Sequence, residues 1–192
     1  MPQFATAVLV LATLFASAAH ADARDEVIAA FDTALAKRAY HVTMVTQVRG
    51  KPYETRTAVK LPGSFHMTNP DSETIVLPGG SWMRTGNEWM RLPMDMSRLV
   101  QNITFESMKD GERYVQDVQA TGEETIDGCV SKGYRYVTDG KFMGFKARST
   151  VELSVCGDTG LPIRMISTDA KGKNRTELRY DFVTPVDIRA PG

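Results

Sequence analysis

The sequence predicts an α+β protein built on a strongly curved antiparallel sheet. This is an open half-barrel of roughly eight to eleven strands, with two helices covering the concave face. Three observations lead there. From Lys146 to Asp187 the chain reads as a three-strand meander in which Ala147, Ser149, Val151, Leu153 and Val155 alternate with Lys146, Arg148, Thr150, Glu152 and Ser154. That is the period of two of a half-buried strand. A second run of alternating strands, cut by Gly and Pro turns, fills Tyr40 to Leu92. Two stretches of helical period, residues 25–39 and 94–108, stand before and between the strand runs.

The first residues belong to none of this. Phe4 to Phe15 is apolar but too short to span a bilayer, and it leads into Ala19-His20-Ala21, a small-x-small cleavage site. We read residues 1–21 as a secretory signal peptide cut before Asp22, leaving 22–192 as a single domain in the bacterial periplasm. An uncleaved anchor is the alternative, because no Lys or Arg precedes the apolar run. No Cys follows it, so a lipid-anchored form is not expected. In an exported chain the two cysteines, Cys129 and Cys156, are expected to pair. Closing that loop stabilises by about 3–4 kcal/mol in the chain-entropy model.

Lys+Arg and Asp+Glu are equal at 23 each, so no excess of positive charge is available to attract nucleic acid or an anionic membrane. One core of ordinary size is what the length allows.

Taken in order, the first helix places Val27, Ile28, Phe31, Leu35 and Ala39 on one face, opens with acids and closes with Lys37-Arg38. The first strand carries Tyr40, Val42, Met44 and Val48 on one side. Gly50-Lys51-Pro52 turns it into a second strand ending at Leu61, and Ser64–Thr68 and Thr74–Leu77 follow. Gly86-Asn87 is a two-residue hairpin turn. It sets Thr85 opposite Glu88, Arg84 opposite Trp89, Met83 opposite Met90 and Trp82 opposite Arg91. One face is therefore a Trp–Arg cation–π ladder and the other Met83, Met90 and Leu92. We assign the methionine face to the core, the alternative being burial of the stacked tryptophans. Pro93 ends the sheet run, and the second helix presents Met96, Leu99, Val100 and Ile103 on one side. Strands at Tyr114–Ile126 and Tyr134–Val137 lead to the closing meander, whose last strand turns Thr176, Leu178, Tyr180 and Phe182 one way.

Several phrases carry a family likeness. These are Trp82-Met83-Arg84-Thr85-Gly86-Asn87-Glu88-Trp89-Met90-Arg91-Leu92-Pro93, Thr121 to Gly128, Gly160-Leu161-Pro162-Ile163-Arg164, and Tyr180-Asp181-Phe182 with Val186-Asp187-Ile188. With the element order, they make the chain resemble the LolA/LolB/LppX-like family of bacterial envelope lipoprotein and lipid carriers. The resemblance implies a half-barrel whose concave face is shielded by helices and admits acyl chains, with a lipid or lipoprotein acyl chain as partner. On a related scaffold it also implies the alternative of an envelope sensor or regulatory module whose partner is an envelope membrane protein.

Strand parity nominates the lining: Val42, Met44, Val59, Leu61, Phe65, Met67, Met83, Met90, Leu92, Val151, Leu153 and Val155. The shielding helices would contribute Val27, Phe31, Leu35, Leu99 and Ile103. Of ten methionines, all but Met1 lie beyond the leader. They suit either a wall that adapts to a flexible tail or plain core filling. No His-Glu-x-x-His, Gly-x-Ser-x-Gly or phosphate loop is present. His41 and His66 fall at polar-face parity and read as surface residues. Neither catalysis, metal nor cofactor is expected; an enzyme using the concave face is the remaining alternative.

Overall fold

The computed structural model describes residues 15–97, 112–142 and 145–192. One helix, α1 (Phe15–Lys37), is followed by β1 (Ala39–Val48), β2 (Lys51–Lys60), β3 (Ser64–Thr68), β4 (Glu73–Leu77), β5 (Gly80–Thr85) and β6 (Glu88–Arg91). A short 3-10 turn then precedes β7 (Val115–Ile126), β8 (Cys129–Phe142), β9 (Phe145–Cys156), β10 (Pro162–Asp169) and β11 (Arg175–Asp181). All eleven strands join one antiparallel sheet in the order β6-β5-β4-β3-β2-β1-β11-β10-β9-β8-β7. The chain makes two meanders, which meet where β1 pairs with β11. The sheet does not close: β6 and β7 are its edges, and twist accumulated over eleven strands gives it curvature.

Each tight reversal has a chemical cause. Gly86 at φ 75° turns β5 into β6, and the pairing is the one its two-residue loop dictates: Thr85–Glu88, Arg84–Trp89, Met83–Met90 and Trp82–Arg91. Asp127 and Gly128, both left-handed, turn β7 into β8. Cys129, the first residue of β8, is bonded to Cys156, the last of β9, across a Cα–Cα distance of 5.7 Å. The bond staples the ends of two neighbouring strands.

α1 lies across the far half of the sheet. Its most buried stripe is Ala23, Val27, Ala30 and Ala34, at helical spacing. They are small, so the helix axis approaches the sheet closely, and Ala23, Val27 and Ala30 pack into a cluster with Val115, Val118, Tyr134, Tyr136, Val151, Leu153 and Val155. Burying Val27 and Leu153 contributes roughly 1.5–3 kcal/mol each. Of the face expected from sequence, Val27, Ile28, Phe31, Leu35 and Ala39, Val27 is fully buried in this stripe and Phe31 packs against the cluster from its side. Phe31 and Leu35 are half-buried at its flank, and Ala39 already belongs to β1. The alanines win because contact distance, not side-chain size, decides which face meets a flat sheet.

Two helices were expected, and one stands complete among the described residues. Of the second helix expected at residues 94–108, only 94–97 are described, and the last of these, Ser97, is helical. The rest, with Leu99 and Ile103, lies outside the described residues.

Candidate functional site: an inner face in two halves

Residues directly opposed on neighbouring strands share a face, so the register traces the inner face row by row. One row runs Tyr134–Leu153–Met165–Leu178–Met44–Thr55. A second runs Tyr180–Val42–Thr57–Met67–Thr74–Met83–Met90. A third runs Tyr40–Val59–Phe65–Val76–Ser81. No charged residue stands in these three rows.

Every strand-borne residue nominated from parity (Val42, Met44, Val59, Phe65, Met67, Met83, Met90, Val151, Leu153 and Val155) lies on this face. Leu61 and Leu92 sit just beyond their strands. The Leu61 N–H donates to the Arg38 carbonyl at 2.7 Å and the Leu92 N–H to the Ser81 carbonyl at 2.8 Å. The methionine side of the β5–β6 hairpin therefore looks inward, as expected, and the tryptophans look outward.

The face is not uniform. Under α1, Val151, Leu153 and Val155 are buried in the core cluster. Beyond it, Val42, Met44, Phe65, Met67, Met83 and Leu178 are half-buried and interleaved with buried Tyr40, Val59 and Val76, and Met90 on the edge strand is 63% exposed. Between the halves stands an aromatic group, Tyr40, Tyr180 and Phe182. Its ring centroids are 5.4 Å (Tyr40–Phe182), 6.0 Å (Tyr180–Phe182) and 6.3 Å (Tyr40–Tyr180) apart. Burial raises the pKa of Tyr40, Tyr136 and Tyr180, so these phenols stay neutral.

α1 is fastened at its middle and at its C-terminal end. Arg24 Nε donates to the Val115 carbonyl at 3.5 Å. Glu26 accepts from Lys132 Nζ at 3.0 Å and from the Tyr134 hydroxyl. At the C-terminal end Arg38, left-handed at φ 59°, passes the chain directly into β1 at the centre of the sheet.

Polar atoms on the face were not foreseen from sequence. Thr55, Thr74 and Ser81 are all buried. Ser81 Oγ accepts from the Met96 N–H at 2.9 Å, whereas Thr74 Oγ1 makes no hydrogen bond to any described group. The pairing of Thr74 with Met83 was the available signal, since Met83 had been assigned inward.

On the outer face the Trp–Arg ladder forms as its spacing predicts. The Arg84 guanidinium lies 5.2 Å from the Trp89 ring centroid and that of Arg91 5.9 Å from Trp82. Arg84 also pairs with Glu73, whose other oxygen lies 2.6 Å from His66 Nε2. His66 is thus half-buried against a carboxylate and not a bare surface residue. Among the described residues no three His, Cys, Asp or Glu side chains gather as a metal site.

No family model and no curated protein matches this sequence. Solved structures do match. Lipoprotein LppX of Mycobacterium tuberculosis superposes with a TM-score of 0.62 at 13% identity, over 88% of this chain and 99% of that one. LprF of Mycobacterium bovis gives 0.59 at 13% identity, over 89% and 97%. The fold is LppX-like. In this LppX-like sheet the half-buried region of the inner face, from β11 through β1 to β5, is the candidate site. The half beneath α1 is core.

Proposed function

We propose that the protein is a non-catalytic carrier or binding protein for a hydrophobic ligand, a lipid or the acyl chain of a lipoprotein. The observation that carries this reading is the uncharged inner-face surface on which half-buried Val42, Met44, Phe65, Met67, Met83 and Leu178 stand among buried Val59, Thr74 and Val76, beside a half that α1 has closed. An acyl chain of about fourteen carbons gains on the order of 10 kcal/mol on leaving water, at about 0.8 kcal/mol per methylene. A flexible methionine-bearing wall accommodates such a chain without a fixed shape. α1, tied at its middle and its C-terminal end, acts as a permanent cover, so entry is from the β1–β6 side.

We place this activity in the periplasm, reached through the leader at residues 1–21. N-terminal sequencing of the exported protein is expected to begin at Asp22. Native mass spectrometry and solvent extraction of the purified protein are expected to find bound lipid; repeated recovery of clean apo-protein from a lipid-rich host would count against the carrier. A second reading, an envelope regulatory module, draws on the Trp–Arg ladder at the outer edge of the sheet. It predicts crosslinking to an envelope membrane protein that is lost on Trp89→Ala without change in lipid content.

A further inference from the structure

Thr74 stands in β4 directly opposite Met67 on β3 and Met83 on β5. Its side chain therefore shares their inner face. The residue is 9% exposed, and its hydroxyl has no hydrogen-bond partner among the described groups. Leaving a buried hydroxyl unpaired is unfavourable, and native structures rarely keep one without something to satisfy it. A wall meant only to be greasy would carry Val here, which has nearly the same shape.

Resting on the carrier reading, we propose that the Thr74 hydroxyl donates a hydrogen bond to the neutral acyl carbonyl of the bound ligand, an ester or amide, while the chain lies over Met67, Met83 and Phe65. A hydroxyl aimed into an apolar wall selects a ligand that brings an acceptor with it. The acceptor is uncharged, because the three inner-face rows hold no cation to balance a carboxylate and burying an unpaired charge is prohibitive. The ligand class is thus an acylated lipid with its linkage inside the groove, as distinct from a free fatty acid or a bare hydrocarbon.

The test measures displacement of the fluorescent hydrocarbon probe N-phenyl-1-naphthylamine by monooleoylglycerol, N-oleoylethanolamine and oleate, using wild type, Thr74→Val and Thr74→Ser. Thr74→Val is expected to bind the ester and amide lipids about threefold to tenfold more weakly, the worth of one net hydrogen bond. Its affinity for the naphthylamine itself should not change, and Thr74→Ser should behave as wild type. The ester and amide arms show which linkage the groove prefers. Should Thr74→Val not fold, Thr74→Ala carries the same expectation. If the probe binds but the ester and amide lipids displace it from Thr74→Val as readily as from wild type, the hydroxyl does not meet the ligand and the assignment falls while the carrier reading stands. Oleate binding tighter than either neutral lipid also overturns it. If wild type binds neither probe nor lipid, the carrier reading fails and takes this assignment with it.

Discussion

Tyr134 on β8 donates its phenolic hydrogen to Glu26 on α1, whose second oxygen is met by Lys132. This contact locks the middle of the helix to the sheet. It also couples two titrating groups: the hydrogen bonds from Tyr134 and then Lys132 hold the Glu26 carboxyl below its usual value of 4.5. Burial, and then Glu26, push the Tyr134 phenol up. A carboxylate with a depressed folded pKa contributes stability above its unfolded pKa and loses it as pH falls through the folded one. Glu26 is about half exposed, so solvent screens much of this.

Tyr134→Phe is therefore expected to lower stability by about 1 kcal/mol at neutral pH. The deficit should shrink once Glu26 is protonated in the folded state. Urea denaturation midpoints of wild type and variant, followed from pH 7 downward through the acid range, measure it. A deficit that never narrows as pH falls would mean that the pair does not hold the helix.

A second carboxylate is held in the same way. Burial by itself would raise the Glu73 pKa, but hydrogen bonds from His66 and Arg84 outweigh it and hold the group below 4.5. Its side chain is only 16% exposed. Glu73→Gln is expected to destabilise by about 1–3 kcal/mol at pH 7, the range for a hydrogen bond to a charged group. The gap to wild type should narrow as pH falls below the folded pKa, where Glu73 is neutral in both states. Because Glu73 also steadies Arg84 over Trp89, the variant's tryptophan emission should shift to the red. Unchanged emission would show that the ladder stands without its carboxylate.

These two networks mark what sequence could and could not disclose. The β5–β6 register was fully legible, because a two-residue Gly86-Asn87 turn permits one pairing. Once Met83 is placed inward, parity carries Met67, Phe65, Val59 and Val42 to the same face strand by strand. The division of that face into halves was not legible. It depends on α1 landing over β7–β10, a long-range choice fixed by the alanine stripe Ala23, Ala30 and Ala34, and alanine in a helix reads as propensity before it reads as contact. Thr74 escaped because threonine in a strand is ordinarily taken for the wet face, and His66 because its partner Glu73 belongs to the next strand. The cores of Tyr134 and Tyr136 were likewise hidden, their strand having been read as shorter than Cys129–Phe142.

A steric prediction tests the outward placement of the tryptophans. The Trp82 ring lies over Gly80, where an added Cβ would come within 2.5 Å of a ring carbon. Gly80→Ala is expected to destabilise by about 1–3 kcal/mol, the range for overpacking. In a Trp82→Leu background the same change should be close to neutral. Thermal melts of the two single variants and the double variant close the cycle. Additivity would show that the ring is not the obstacle.

The division of the inner face makes a prediction that separates stability from binding. Val27 is fully buried on the sheet-facing side of α1, so Val27→Ala removes core atoms and leaves a gap. It should lower stability by about 2 kcal/mol through lost transfer and packing and leave the affinity for an apolar probe unchanged. Met67 lies in the half-buried region, in a row with Thr57 and Thr74. Met67→Gln keeps the shape of the side chain but puts an amide where an acyl chain would lie. It should weaken probe binding about tenfold, corresponding to roughly 1.4 kcal/mol of lost apolar contact, with little change in melting temperature because the position is already partly wet. Denaturation and fluorescent-probe titration on both variants give four numbers. The expected pattern is a crossed one, each substitution moving one property only. If Val27→Ala abolished binding while Met67→Gln left it intact, the ligand would lie beneath α1, and the helix would have to open to admit it.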